Sequence, residues 1–285
     1  EYGRIQILRR RFHVVCLAVL LVIVSAGYVE FRTEDGFHQA DLVFVDVGQG
    51  DCLHIRTPSG KNILIDGGGK ESFDMGKKVL KPYLLKNGVR RIDLAVATHM
   101  DMDHYDGLRG LAACGMVRTM GLYEGNRLLE TKILRETGLE EKQMWYFHQG
   151  DRIKVDDQVW LEFLYPKEKP IAAYQAEIEA KDENPRSLVI QVHVGKYRIL
   201  MTGDIDTKIE EALLSDPKLQ VIQGAQQLDT DILKIGHHGS KYSTSDEFLL
   251  AASPGTAVFQ TGKNNYGHPD PGILEKCTEK GIMVY

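Results

Sequence analysis

The chain has 285 residues, of which 43% are hydrophobic and 26% are charged. This composition excludes wholesale disorder, and the length is enough for one large domain or two small ones. The formal net charge of −5 excludes a generally basic surface, so a nucleic-acid ligand would need a local basic patch or metal ions to hold its phosphates.

The first thirty residues differ from the rest of the chain. Four arginines precede an almost wholly apolar run, 12–29, and acidic residues follow it. Such a run lies at the short end of what spans a bilayer, and the positive-inside rule puts its N-terminus in the cytoplasm and the remainder outside. A signal peptide has the same order of residues, and a buried core helix is a third alternative. We favour a basic flank and one transmembrane helix over 1–30, a linker over 31–40, and an extracytoplasmic domain over 41–285 in a cell membrane.

Strands and helices alternate after the linker. Buried or alternating apolar residues predict strands at 42–45, 52–56, 62–65, 92–97, 159–165, 187–194, 197–201, 232–235, 257–260 and 282–285. Helical apolar spacing and cap residues predict helices at 75–85, 128–135, 207–214, 245–251 and 271–280. The polar stretch 171–182 is a loop or an exposed helix. This pattern predicts an α/β domain with sheets covered by helices. Because the chain begins at Glu1 and ends at Tyr285 inside a predicted strand, we expect it to be a fragment.

The first chemical motif follows the predicted strand 92–97. His99, Asp101, Asp103 and His104 place four metal-ligand side chains close together. In an extended loop the first three point one way and His104 points another, which suits two adjacent metal ions. Imidazole and carboxylate ligands together suit zinc, manganese or iron. The competing interpretation is a polar loop that caps a helix through Asp103.

Three later segments carry similar side chains. Asp204 follows the predicted strand 197–201 and can bridge two metals, although a helix cap is the alternative. One imidazole of the pair His237 and His238 would complete a metal shell. His268 lies in a loop constrained by glycine and proline.

In their order along the chain, these segments resemble the metallo-β-lactamase superfamily. Within it, they resemble the extracytoplasmic domain of ComEC-type competence proteins, which internalise DNA. The resemblance covers 42–285 and rests on Asp46–Asp51, Leu64–Gly68, Ser187–Val189, Thr202–Asp204, His237–Ser240 and Tyr266–Pro269. It implies an αββα sandwich with two divalent metal ions at one edge, preceded by one transmembrane helix.

The resemblance also implies six metal ligands. These are His99 and Asp101 for the first ion, Asp103, His104 and His237 for the second, and Asp204 as the bridge. Most of the superfamily has a histidine where Asp101 stands, and a further histidine is missing near Asn184 or Ser187. The first site is therefore rich in oxygen ligands, which makes manganese or magnesium as plausible as zinc.

The same motifs suggest catalytic roles around the metals. Asp103 is expected to orient the metal-activated water, and His268 to contact a phosphate or protonate the leaving group. His238 is expected to do the same or to support His237. Asp66 is expected to hydrogen-bond a ligand histidine, with a simple turn residue as the alternative.

Other polar and aromatic residues are assigned less specific roles. Asp46 and Asp51 are expected to shape the loop beside the metals without binding them. Lys241 could contact a phosphate, although a solvated side chain is favoured. The aromatic run Trp145–Phe147 could stack nucleobases, but hydrophobic packing is favoured.

The favoured function is a metal-dependent hydrolase, a phosphodiesterase or nuclease that acts on DNA during uptake. Its expected partners are DNA, the membrane and other competence proteins. One alternative is a metallo-hydrolase of small esters, lactones or cell-wall components. Another is a non-catalytic DNA-uptake module with a structural metal site.

Overall fold

The computed structural model describes residues 39–219 and 228–285. The predicted transmembrane segment, 1–30, and most of the predicted linker lie outside these residues. Among the residues that are described, no helix combines the length and the apolar character needed to cross a membrane.

Two β-sheets form the centre of the domain. The first sheet has six strands in chain order. They are β1 (Asp41–Phe44), β2 (Leu53–Arg56), β3 (Asn62–Ile65), β4 (Leu94–Val96), β5 (Met120–Tyr123) and β6 (Met144–Phe147). The pairs from β1 to β3 are antiparallel, and those from β3 to β6 are parallel.

The second sheet has seven strands, again adjacent in chain order. They are β7 (Arg152–Lys154), β8 (Val159–Tyr165), β9 (Val189–Val194), β10 (Tyr197–Met201), β11 (Ile232–Lys234), β12 (Thr256–Val258) and β13 (Met283–Val284). The pairs from β7 to β10 are antiparallel, and those from β10 to β13 are parallel. Strands β9 and β10, both predicted from the sequence, form an antiparallel hairpin.

The helices are short and lie between strands in the chain. They are α1 (Lys81–Lys86), α2 (Met102–Ala113), α3 (Glu130–Thr137), α4 (Ile171–Ala180), α5 (Thr207–Leu214), α6 (Asp246–Ala252) and α7 (Pro271–Glu279). A π-helical turn, Gly76–Leu80, leads directly into α1. The 3-10 turns are Glu124–Leu129, Glu141–Gln143, Asn184–Arg186 and Gly236–Gly239.

Three hydrophobic cores follow from the alternation of side chains along the strands. Ile63 and Ile65 of β3 point into the core between the two sheets, whereas Leu64 between them points into the outer core. That outer core is formed with α1, α2 and α3, and α5, α6 and α7 close a third core on the second sheet. Each large apolar side chain buried in this way contributes about 1.5–3 kcal/mol. The predicted αββα sandwich is therefore present.

Several elements were not predicted from the sequence. They are helix α2 and the strands β5, β6 and β7. The polar stretch that was assigned to a loop or an exposed helix forms α4. The metal-ligand motifs all follow strands and meet at one edge of the sandwich.

Candidate metal centre

The first motif enters the site at the end of β4. Asp101 precedes the first helical residue of α2, with φ −65° and ψ 151°, and the helix begins at Met102. Asp103 and His104 therefore lie in the first helical turn. The predicted extended loop is wrong beyond Asp101, because the backbone turns into a helix there and rotates His104 inward.

Asp66 fixes the buried ring of His104. Its Oδ2 lies 2.9 Å from Nδ1 of His104, and it also accepts a bond of 2.8 Å from the Thr98 hydroxyl. Oδ1 of Asp66 accepts the Thr98 amide at 2.7 Å. The prediction that Asp66 hydrogen-bonds a candidate ligand histidine is confirmed. A carboxylate on Nδ1 directs Nε2 towards a metal, as in many metal sites.

Glycines let two loops lie directly against the start of α2. A Cβ on Gly50, whose φ is +128°, would stand 2.2 Å from the carbonyl oxygen of Asp103. A Cβ on Gly69 would stand 1.8 Å from the carbonyl oxygen of Met102. Only glycine permits these approaches, so both loops are built to hold the helix terminus that carries Asp103.

The second wall of the site comes from the ends of β10 and β11. Asp204 follows β10, and its amide donates to the Ser187 hydroxyl at 3.1 Å. His237 and His238 follow β11, and both have positive φ values of 48° and 53°. Consecutive residues in this conformation send the two imidazoles in different directions.

The side chains converge on a small volume. Nε2 of His104 lies 3.3 Å from Nε2 of His238 and 3.3 Å from Oδ1 of Asp204. Nε2 of His238 lies 3.3 Å from Oδ2 of Asp103 and 3.5 Å from Oδ2 of Asp204. His237 lies further out, with its Nε2 3.8 Å from Oδ2 of Asp204. The structure thus brings His238, rather than His237, into the centre of this group.

Asp51 stands behind the imidazoles. It belongs to a buried group with His104, Asp204 and His238 whose candidate ligand atoms lie within 4.8 Å of one another. However, its Oδ1 lies 3.1 Å from Nδ1 of His238, and its Oδ2 pairs with the buried ammonium of Lys234. A cation would be repelled by that ammonium, so Asp51 is placed to hold His238 rather than to bind metal.

His99 and Asp101 form the other side of the site. Nε2 of His99 lies 3.6 Å from Oδ2 of Asp101, and the His99 ring lies 4.1 Å from that of His104. Burial raises the pKa of Glu183, and the nearby carboxylate of Asp101 raises it further. Asn184 faces the same pocket. Sequence reasoning pointed to this segment but missed Glu183.

The electric field of the group is strong because its charges are buried. Burial disfavours the imidazolium of His104, but Asp204 and Asp66 outweigh it and raise the pKa of His104 well above its usual value. In the same way, Asp204 and Asp51 overcome burial and raise the pKa of His238 to about 9. Burial disfavours the ionised form of Asp204, but His238 and His104 lower its pKa well below the ordinary range.

These residues fit divalent metal ions. Nδ1 of His104 and Nδ1 of His238 both face acceptors, so the neutral rings would point two Nε2 lone pairs at each other and at carboxylates. A proton or a metal ion is therefore needed between the Nε2 atoms and the carboxylates. The raised pKa values of the two histidines express the same demand for positive charge at this point. Nε2 of His99 is buried without a hydrogen-bond partner, which costs about 1–3 kcal/mol unless a ligand satisfies it.

A pocket of about 590 Å³ opens above the group. Its rim includes Lys241, Tyr242 and Tyr266, and the two tyrosines are 63% and 77% exposed. The His268 ring lies 5.4 Å from that of His237, and Nδ1 of His268 has no hydrogen-bond partner. Asn264 holds this loop by donating to the carbonyl of His268 at 2.7 Å and accepting its amide at 3.1 Å.

The family model of the metallo-beta-lactamase superfamily matches residues 45–263. The chain belongs to this superfamily. The match begins just before the loop of Asp51 and ends after β12, so it includes strands β2 to β12 and the candidate metal ligands.

Two curated relatives are competence proteins. The chain is 29% identical over 263 residues to "ComE operon protein 3" of Bacillus subtilis (strain 168), which covers 86% of this chain and 31% of the relative. It is 32% identical over 284 residues to "Competence protein ComA" of Neisseria gonorrhoeae, which covers 95% of this chain and 36% of the relative. The chain thus spans about a third of the length of these relatives.

Solved structures share the fold at low sequence identity. Igni18, a metallo hydrolase from Ignicoccus hospitalis, matches with a TM-score of 0.53 and 18% identity over 87% of this chain and 94% of that chain. CmlA, a diiron beta-hydroxylase from Streptomyces venezuelae, matches with a TM-score of 0.54 and 15% identity over 86% of this chain and 52% of that chain. The superfamily fold therefore carries metal centres in proteins of different chemistry, and fold alone does not define the reaction.

Proposed function

We propose that this chain is a metal-dependent phosphodiesterase that acts as a nuclease on DNA during DNA uptake. The observation that carries the proposal is the convergence of His104, His238, Asp103 and Asp204 beneath an open pocket. Carboxylate and imidazole ligands around a shared aspartate are the donor set that two divalent ions need for phosphoryl hydrolysis.

In this proposal, His104, His238 and Asp103 would hold one ion, and His99 and Asp101 would hold the other. Asp204 lies beside the first set and would be available to both. Bound divalent ions supply Lewis-acid polarisation of phosphate oxygens and lower the pKa of water. The earlier assignment of His237 as a ligand stays a prediction, because its ring is within reach of Asp204 but outside the central group.

The chain's own residues would bind and orient the substrate. Lys241 reaches the rim with no carboxylate partner among the described residues, and it can neutralise a phosphate. His268 has a free Nδ1 beside the group and can hydrogen-bond a phosphate oxygen. Tyr242 and Tyr266 present exposed rings on which nucleobases can stack. A small ester or lactone would leave these rings unused, which favours a polynucleotide.

The cellular setting is part of the proposal. The two competence relatives support a role in DNA uptake. The basic flank and apolar run of 1–30 support a membrane anchor with the catalytic domain outside the cell. Other competence proteins are the expected partners there.

The test is an assay of the full chain, stripped of metal and reloaded with manganese, zinc or magnesium. Single-stranded DNA, duplex DNA, a bis-aryl phosphodiester and an aryl ester are offered in parallel. We expect metal-dependent cleavage of DNA and of the phosphodiester. Because the metals supply several kcal/mol of transition-state stabilisation, Asp103→Asn and His104→Ala should each reduce the rate about a thousandfold.

Asp106→Asn is the matched control. Asp106 lies on the same helix, but it pairs with Arg109 at 3.0 Å instead of facing the pocket, so its variant should keep the wild-type rate. Cleavage of the ester alone would support the small-molecule hydrolase instead. Stoichiometric metal without any hydrolysis would support a structural site in a DNA-uptake module.

A further inference from the structure

A second pocket lies at the end of the sandwich opposite to the metal centre. Strand β4 connects the two, since Asp93 lines this pocket and His99, six residues later, lies in the metal centre. At about 3.3 Å per residue, these six residues span at most about 20 Å, and β4 itself separates the two sites by about 10 Å. We name this pocket the basic groove and define it by Lys61, Arg91, Arg118, Lys142, Lys154 and Trp145. Its volume is about 680 Å³.

The basic groove carries cations that the protein does not neutralise. Lys142 pairs with Glu140 at 2.7 Å, and Lys154 pairs with Asp157 at 2.7 Å. The other three basic side chains have no carboxylate within ion-pair distance among the described residues. They are Lys61, Arg91 and Arg118, and all three are exposed.

The carboxylate of Asp93 lies in the same groove and offsets one of these charges, so the three unpaired cations still outnumber it. Its Oδ2 accepts the amide of Asn62 at 2.9 Å, so it is committed to joining β3 and β4. Three unpaired cations at one end of a chain with a net charge of −5 form a local positive surface. Such a surface attracts a polyanion.

An exposed indole completes the basic groove. In the run Trp145–Phe147, Phe147 is buried and stacks on Phe163 at 4.1 Å, and Tyr146 packs under the guanidinium of Arg127 at 4.4 Å. The expected hydrophobic packing therefore holds for these two residues. Trp145 instead stays 44% exposed on the edge strand β6 and lines the basic groove. An exposed tryptophan among unpaired cations is what stacks bases and binds phosphates in sequence-independent nucleic-acid sites.

We infer that the basic groove is a binding site for single-stranded DNA, separate from the metal centre. Phosphates contact Lys61, Arg91 and Arg118, and a base stacks on Trp145. Stacking on one side chain requires an unpaired base, which distinguishes a single strand from a duplex. The site goes beyond the proposed reaction, because binding here requires neither metal nor cleavage.

The test measures binding of a fluorescent oligothymidylate to the full chain in excess chelator, so that cleavage does not interfere. For the double variant Arg91→Glu/Arg118→Glu, we expect weaker binding. The slope of log K against the logarithm of the salt concentration should become shallower by about 1.4, since each lost phosphate contact removes about 0.7 from it. Trp145→Ala should weaken binding about tenfold. Indole fluorescence should be quenched by the oligonucleotide in the wild type but not in Trp145→Ala, whose remaining Trp160 stacks on His193.

The charge-matched control is Lys208→Glu/Lys218→Glu, in and after α5, where both lysines are exposed and have no ion-pair partner among the described residues. It should bind like the wild type. The inference is overturned if this control loses as much affinity as the groove variant, if the groove variants bind normally, or if a duplex binds as tightly as the single strand. Cleavage of the bis-aryl phosphodiester, measured with metal on the same variants, should stay at the wild-type rate. If the wild type itself does not cleave the phosphodiester, the proposed function is contradicted, but the inference of a DNA-binding groove is not.

Discussion

The buried ion pair of Lys234 and Asp51 offers the sharpest test of how the metal centre is held. Both side chains are fully buried, and the ammonium contacts Oδ2 of the carboxylate. Burial disfavours ionisation of Asp51, but Lys234 and then His238 overcome it and lower its pKa to about 2. Lys234→Met removes the ammonium and keeps the length of the side chain. The buried carboxylate then loses its ammonium partner and faces only imidazoles, that of His238 at 3.1 Å. Removal of one partner of a buried ion pair costs about 3–5 kcal/mol.

The double variant Asp51→Asn/Lys234→Met removes both charges. Since the uncompensated charge causes most of the loss, the double variant should regain all but about 1 kcal/mol. Urea unfolding of the metal-free full chain, followed by circular dichroism, gives the free energies. A double-mutant cycle should then yield a coupling of at least about 2 kcal/mol. Additive losses, or a loss below 1 kcal/mol in Lys234→Met, would refute the argument.

The same double variant separates stability from metal binding. Oδ1 of Asp51 lies 3.1 Å from Nδ1 of His238, beside the Gln260 carbonyl that hydrogen-bonds this nitrogen at 2.9 Å, and an amide in place of Asp51 removes the negative charge there. Metal affinity should therefore fall about tenfold or more, although the fold is restored. Equal metal affinity in the wild type and the double variant would show that Asp51 does not orient His238.

Further predictions concern the loops, the candidate ligands and the turns. Gly50→Ala should destabilise the chain by more than about 2 kcal/mol in urea unfolding, because the positive φ strains the backbone and the new Cβ clashes with the carbonyl of Asp103. Gly60→Ala is the control: its φ is also positive, but the space around it is open, so it should cost only about 1 kcal/mol. Asp66→Asn should weaken metal binding about 10- to 100-fold in a chelator competition, with no change if its bond to the imidazole is unimportant. Asp156 bridges two turns, and hydrogen bonds from them overcome burial and lower its pKa to about 2. Because the pKa of Asp156 is lower in the folded state, its carboxylate stabilises the fold fully above about pH 4, and this contribution is lost as the pH falls towards 2. Since the side chain is partly exposed and screened by solvent, Asp156→Asn should cost only about 1 kcal/mol of unfolding free energy at pH 7, and little at pH 2. A cost that does not vary with pH would exclude this explanation.

The location of the site could be predicted because each motif directly follows a buried strand. Parallel strands of one sheet bring their carboxyl ends to one edge, so Asp204 and the histidines after β11 had to lie close together. The motif after β4 belongs to the other sheet, and its meeting with them was implied only by the resemblance. The bond from Asp66 to a histidine was predicted from the metal-site motifs, with a turn residue as the alternative. The αββα architecture followed from the resemblance rather than from periodicity.

Helix α2 was missed although the sequence carried a signal. Leu108, Leu111 and Ala112 have helical spacing and are buried in the outer core. The polar metal motif at the start of the helix drew the interpretation towards a loop. Strands β5 and β7 were missed because Gly121 interrupts the first and two of the three residues of the second are basic, so neither shows an apolar run. The aromatic run of β6 was assigned to packing without a secondary structure.

The choice between His237 and His238 could not be made from the sequence. Both follow β11, and either could complete a metal shell. The decision depends on two consecutive positive φ values and on acceptors that are far away in the chain, the carbonyl of Gln260 at 2.9 Å and Asp51. These contacts fix Nδ1 of His238 and aim its Nε2 inward, whereas His237 remains at the rim.

The net charge of the chain was also a poor guide to whether it binds nucleic acid. A value of −5 is a sum in which the buried carboxylates of Asp51, Asp66 and Asp204 count as fully as surface charges. These carboxylates face histidines, an ammonium and the candidate metal sites, so they contribute little to the field that an approaching polymer meets. Mobile ions screen that field within about 10 Å at 0.1 M salt, and the basic groove and the metal centre lie at opposite ends of β4. An incoming DNA strand would therefore meet the unpaired cations of the basic groove as a local positive surface, independently of the acidic total.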